Sequence, residues 1–399
     1  MNDIGNNATS QTLWKNQNGR ETMASKSSRV GLYRRLDLLL PAAIISFILN
    51  GWYLSLIEVG IRFLIQRNGS VWFGSLYILV TGIMFGTLAA LIIYVVSTRF
   101  YQGSGIAYHS DPPEPLLLTE PYECVNAQGD LRCCAKSEGP CYGKWKPPRT
   151  HHCSTCGVCR PGFDHHCPWL GACIRSSNMP AFLLILIITP ILFLAAVFPI
   201  MPILPARISH AFWVSRQTLW IREQWWDRWY SWVFIGGPPG RYMVGTLMGL
   251  KQMQDTECQV YECESPGTAI AKPGIRLILT IFFAIFLSIA AGIMTLATIR
   301  DITFGRTTLD TFGKKGASGA ERRGPSSFLC IPATSSLIQR KVYKVLPGDR
   351  LYDLGWRANW RKFFLHVKRN SIFGIDERFT WPKINPSVLR RCRDAAPKP

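Results

Sequence analysis

Residues Cys153 to Cys173 read CSTCGVCRPGFDHHCPWLGAC, with five cysteines and two histidines. Two residues separate Cys153 from Cys156 and Cys156 from Cys159, and His152 stands directly before the first of them. Short gaps of this kind let sulfur and imidazole ligands converge on one tetrahedral ion, and zinc is the metal that suits them. Asp164, His165, His166 and Cys167 are consecutive, so an acid, two imidazoles and a thiol ride on one short segment.

Outward from this cluster the chain is unevenly apolar. Four windows contain no charged residue: Leu38 to Ile57, Leu76 to Val96, Ala181 to Leu204, and Leu277 to Ile299. An α-helix needs about 20 apolar residues to cross roughly 30 Å of hydrocarbon, and each window has that length. Buried helices of soluble domains normally keep a polar face, which argues against four core helices. The pattern predicts an all-α polytopic membrane protein with four transmembrane helices and a zinc-stabilised cysteine-rich domain between the second and third. The boundaries are a disordered tail, 1–36; helices 1 and 2, 37–97; the cysteine-rich domain, 98–179; helix 3, 180–204; a tryptophan-rich loop, 205–274; helix 4, 275–299; and a carboxy-terminal tail, 300–399.

The 399 residues carry a formal net charge of +20. The basic residues concentrate beside the apolar windows, in the segments before Leu38 and after Ile299. Lipid headgroups or a phosphorylated ligand are nearer partners for them than nucleic acid, which is not expected as a partner. By the positive-inside rule both termini face the cytosol, and with an even number of spans the cysteine-rich loop does too. In that reducing compartment the thirteen cysteines are not a disulfide framework. The fate of Cys330 and Cys392 is open: either can be an inert thiol, and Cys392 in its basic tail can itself be acylated. Asp111 to Pro115 reads as an extended linker, and Lys314 to Ser327 as disordered.

The third window contains Pro190, Pro199 and Pro202, which predict kinks. After it, Trp213, Trp220, Trp225, Trp226, Trp229 and Trp232 alternate with Arg216, Arg222 and Arg228. Three readings are open for this loop: a helix at the far headgroup level, a packed lumenal loop, or a segment from Trp229 to Leu250 that dips into the bilayer. Cys258 and Cys263 form a disulfide if the loop faces an oxidising lumen.

Cys153, Cys156, Cys159, His152, His166 and Cys173 exceed the four ligands of one tetrahedral ion, so two ions fit better. One partition gives Cys153, Cys156, His166 and Cys173 to the first. The second takes His152, Cys159, Cys141 and one of Cys133 or Cys134, with Cys134 the choice made here. Neither set needs Cys167. A thiol left over beside His165 and Asp164 has a base within reach and a carboxylate to orient that base, the elements of nucleophilic catalysis. A purely structural zinc knot is the bland alternative.

The run from Lys146 to Trp169, KPPRTHHCSTCGVCRPGFDHHCPW, closely resembles the DHHC protein S-acyltransferases, or palmitoyltransferases, and the chain looks like a fungal-like member. Supporting pieces are Asn178 with Phe182, Thr307-Thr308-Leu309-Asp310 after the last window, and Asp353 to Trp360. The resemblance implies that Cys167 is the acylated nucleophile, His165 its base and Asp164 the orienter, and that both zinc ions are structural. It also implies palmitoyl-CoA as donor, membrane-associated proteins with cytosolic cysteines as acceptors, and the bilayer as setting. Arg149 and Arg175 are candidates for the CoA phosphates. The sequence departs from the family in Cys133-Cys134 ahead of Cys141, in Leu170-Gly171-Ala172 and Arg175, in Asp111-Pro112-Pro113, and in Asp310 where a glutamate is usual. Two rivals are a non-catalytic membrane-tethered zinc module that binds partner proteins, and a metal transporter, whose spans should carry polar residues.

Overall fold

The computed structural model describes residues 37, 39–101, 118–136, 140–234, 236–260, 266–312, 328–332, 340–346, 348–369 and 381–394, and among these described residues four helices are long and apolar enough to cross a membrane. They are α1, Leu39–Arg67; α2, Val71–Tyr101; α3, Met179–Val197; and, after two helices of the tryptophan-rich segment (α4, Leu204–Gln217; α5, Pro238–Val260), α6, Ile275–Thr303. The expectations for the tail 1–36, the linker 111–115 and residues 314–327 lie outside the described residues. So does the Cys258–Cys263 disulfide, since Cys263 and the Cys258 side chain are not described.

Two helices differ from the apolar windows for identifiable reasons. Helix α1 continues ten residues past Ile57, through Glu58 and Arg62, to Arg67. Glu58 accepts from Arg62 at 2.8 Å, one turn on, and from the Tyr53 hydroxyl at 2.7 Å, so its charge is answered within the helix. Helix α3 runs through Pro190 but gives way to a tighter turn, Phe198–Ile200. Pro199 and Pro202 have no N–H to continue the ladder.

The chain forms two compact units. One comprises residues 45–92 and 183–296. Its core joins Leu54, Val59, Phe63 and Leu64 of α1 to Tyr77 of α2, Val197 and Ile200 at the end of α3, Ile270, and Leu277 of α6. The Tyr77 hydroxyl pairs with Ser55 at 2.7 Å and donates to the Ala196 carbonyl at 2.9 Å. The tryptophan-rich segment belongs to this unit as a packed structure of its own. Arg207 of α4 makes a two-pronged ion pair with Glu257 of α5, at 2.7 and 2.8 Å. Arg241 is buried, donates to Ser231 and the Trp226 carbonyl, and lies over the rings of Trp226 and Trp232. Gly249 is where α5 meets α4 most closely, because an added Cβ would fall 2.0 Å from the Ala211 carbonyl oxygen.

The other unit comprises the described residues of 1–44, 93–182 and 297–399. Strand β1, Tyr122–Cys124, lies ahead of two hairpins: β2, His151–Cys153, with β3, Val158–Arg160; and β4, Phe163–Cys167, with β5, Ala172–Arg175. The carboxy-terminal region adds α7, Thr308–Phe312; β6, Phe328–Ile331; β7, Lys341–Lys344; α8, Trp356–Arg369; and α9, Pro386–Asp394. An antiparallel sheet in the order β1-β6-β7 joins the two regions. Leu329, Ile331, Ile384, Val388 and Cys392 pack in one cluster by this sheet, and Tyr122, Cys124 and Cys330 in another. Cys330 and Cys392 are therefore buried packing residues.

Gly249→Ala forces α4 and α5 apart and is expected to cost about 1–3 kcal/mol, lowering the thermal midpoint in detergent. Gly86→Ala, where an added Cβ meets nothing within 4 Å, should leave that midpoint unchanged or raise it.

Candidate active site

Side chains alternate between the two faces of a strand, and that rule separates the consecutive residues of β4. His166 turns its Nδ1 to the sulfurs of Cys153, Cys156 and Cys173, each at 3.6 Å. His165 interacts instead with the side chains of Asp164 and Cys167. Strict alternation would send Asp164 to the His166 face. The register of β4 on β5 slips between Phe163 and His165, and such an irregularity re-aims a side chain. The Asp164 Oδ2 thereby meets His165 Nδ1 at 2.8 Å.

Asp164 is buried and takes donors from beyond the cysteine-rich stretch. The Thr308 backbone N–H donates to its Oδ1 at 2.9 Å, and the Thr308 hydroxyl to its Oδ2. Thr308 is presented by a capping box at the start of α7. The Thr307 N–H donates to Asp310 Oδ2 at 2.9 Å, and the Asp310 N–H returns to the Thr307 hydroxyl at 3.3 Å. Burial alone would raise the Asp164 carboxyl, but the donors from His165 and Thr308 hold it below the ordinary carboxylate value. Burial likewise opposes charge on His165, and hydrogen bonds to Asp164 and Cys167 outweigh it, pushing the imidazole up to about 9. An edge of Phe182 packs on the His165 ring, with centroids 5.4 Å apart.

Two further asparagines brace the surroundings. Asn178, wholly buried, accepts from the Arg175 N–H at 2.8 Å and donates to the Cys173 carbonyl at 3.1 Å and the Thr98 hydroxyl at 3.2 Å. Asn359 donates to the Thr303 carbonyl and to Asp353, both at 2.9 Å, and accepts from the Leu354 N–H at 3.1 Å. Gly305 sits under this knot with φ +60°, and a Cβ there would lie 2.7 Å from the Tyr352 carbonyl oxygen.

The ligand sets converge as two groups, Cys134, Cys141, His152, Cys159 and Cys153, Cys156, His166, Cys173, each with its donor atoms within 4.8 Å of one another. In a tetrahedron with Zn–S near 2.3 Å and Zn–N near 2.0 Å, donor atoms sit roughly 3.5–3.8 Å apart. The separations fit: Cys134 to Cys141 is 3.7 Å, Cys156 to Cys173 is 3.5 Å, and His152 Nδ1 lies 3.2 to 3.9 Å from Cys141, Cys134 and Cys159. Cys133 is exposed and bridges to Trp145, outside the cluster. Cys167 belongs to neither group.

The two arginines named for the CoA phosphates differ in their surroundings. Arg149 donates to the Gly305 carbonyl at 2.8 Å, pairs with Asp310 at 3.5 Å and lies over the Tyr352 ring. Arg175 is buried in β5. Sequence reasoning missed two contacts. The Thr308–Asp164 pair crosses 144 residues of chain. Asp37, which accepts from His166 Nε2 at 2.6 Å, is helical, two positions before Leu39, with no motif to mark it.

Residues 136–315 match the family model described as DHHC palmitoyltransferase. The chain carries a DHHC-type domain. It is 36% identical over 109 residues to Palmitoyltransferase pfa3 of Emericella nidulans, covering 26% of this chain and 20% of that protein. It is 41% identical over 93 residues to Palmitoyltransferase PFA3 of Gibberella zeae, covering 23% of this chain and 15% of that protein. The matched stretch is thus a fifth or less of these relatives' length.

Thr308→Val removes the hydroxyl donor from a buried carboxylate and is expected to cost about 1–3 kcal/mol, seen as a lower thermal midpoint, whereas Thr308→Ser should stay near the parent. Equal midpoints for parent and valine variant would show that the contact carries no stability.

Proposed function

We propose that this protein is an S-acyltransferase that moves a long-chain acyl group, palmitoyl by family likeness, from acyl-CoA through Cys167 to cysteine thiols of membrane-associated proteins. The observation that carries the reading is the line Asp164–His165–Cys167, with its thiol outside both four-ligand groups.

The Cys167 sulfur attacks the thioester carbonyl with its proton held by His165, whose basicity Asp164 raises. The carbonyl–sulfur bond to CoA breaks, and the CoA sulfur leaves with that proton. An acceptor thiol then gives its proton to His165 and attacks the Cys167 thioester, and Cys167 departs and is reprotonated. Cys167 is buried, which keeps bulk water from hydrolysing the intermediate.

Zinc held by the eight ligands supplies cross-links that stabilise the two hairpins, and the reaction runs on the thiol and imidazole. Small cysteine-rich segments of this kind draw their folding free energy from the metal. Arg149 and Arg175 stay the candidates for the CoA phosphates; Arg149 also donates to the Gly305 carbonyl, and Arg175 is buried in β5. The charge pattern supports placing both termini and the reacting loop in the cytosol. The helices supply apolar surface for an acyl chain, whose burial is worth about 0.8 kcal/mol per methylene.

Purified protein given palmitoyl-CoA should gain one hydroxylamine-labile acyl group by intact mass, located at Cys167. The adduct should vanish in Cys167→Ala and form about 10²–10⁴-fold more slowly in His165→Ala. Absence of an adduct, or undiminished acylation of Cys167→Ala, would favour the rival non-catalytic zinc module. Elemental analysis should find two zinc ions per chain, and prolonged chelation should abolish acylation.

A further inference from the structure

The first membrane helix begins beside the ligand His166. Asp37, itself helical two positions before Leu39, is only 6% exposed, and its Oδ1 lies 2.6 Å from His166 Nε2. A carboxylate taken this far from water costs heavily unless a donor meets it. His166 has its other nitrogen, Nδ1, among three sulfurs, so an imidazole ligating through Nδ1 carries its remaining proton on Nε2, aimed at Asp37. A carboxylate in that place fixes the ring's tautomer and orientation and makes it a better ligand.

We infer that Asp37 is a positioning residue for the metal centre of Cys153, Cys156, His166 and Cys173, tying the start of α1 to the strand that carries Cys167. The inference rests on the zinc reading above. Its consequence for chemistry follows from strand geometry. His166 adjoins both His165 and Cys167 on β4 and faces the other way, so a ring held on one side fixes the rotation of the strand that presents the base and the thiol on the other. The group of Cys134, Cys141, His152 and Cys159 holds its histidine on a different hairpin and serves as an internal control.

The test uses full-length protein in detergent, with zinc release to a chromophoric chelator followed as two phases. Asp37→Ala should release one ion about 10–100-fold faster and leave the other phase unchanged. Asp37→Asn, which keeps an acceptor oxygen without the charge, should fall between. In cobalt-substituted protein the absorption bands of one of two ions should shift. Cys167 acylation should slow in step with metal loss and recover with excess zinc. Unchanged release in both variants overturns the inference, as does equal acceleration of both phases, which would signal general loosening. If the alanine variant does not fold, the asparagine variant decides alone. A parent protein without zinc would defeat the metal reading itself, and this inference with it.

Discussion

A carboxylate shut away from water must be surrounded by donors, and Asp164 draws its donors from two distant parts of the chain. His165 is its neighbour, but the Thr308 amide and hydroxyl arrive from α7. The Thr307–Asp310 capping box holds α7 in shape, and Asn359, through Thr303 and Asp353, braces the turn that delivers it. The imidazole beside Cys167 is thus held by a carboxylate whose own orientation depends on the carboxy-terminal region.

Strand alternation separates the side chains. His166 joins the cysteine cluster on one side of β4, while His165 and Cys167 share the other, and the register slip lets Asp164 join them. Adjacent residues therefore face two different environments without competing for the same space. The hairpins are short, and few apolar residues support them; Cys153, Phe163 and Cys173 form most of their buried cluster. Two ligand groups at tetrahedral spacing are a physical reason why such short strands hold their geometry.

In the other unit, charge is tolerated by pairing. Glu58 and Arg62 extend α1 well beyond its charge-free window because each answers the other. The tryptophan-rich segment is held by the same logic, with Arg207 on Glu257 and Arg241 clamped between carbonyl, hydroxyl and indole rings. Within it α4 packs on α5 through Ala211, Leu250 and Met253.

Much of this protein is written locally. The four spans follow from the length and purity of apolar windows, and the two ligand groups from cysteine spacing, down to the exclusion of Cys167. The choice of Cys134 over Cys133 was not legible, since adjacent cysteines have equal spacing and differ only in which face of the chain they occupy. Asp37 on His166, Thr308 on Asp164, and the pairing of β1 with β6 were equally hidden. Each joins residues more than a hundred positions apart through one or two hydrogen bonds or a strand of three or four residues. The sequence by itself determined which segments avoid water and which side chains can bind metal, because hydrophobic transfer and ligand softness are properties of residues and short spacings. Only the tertiary structure decided which donors reach the buried acids, because hydrogen bonds demand positions that the whole fold must supply.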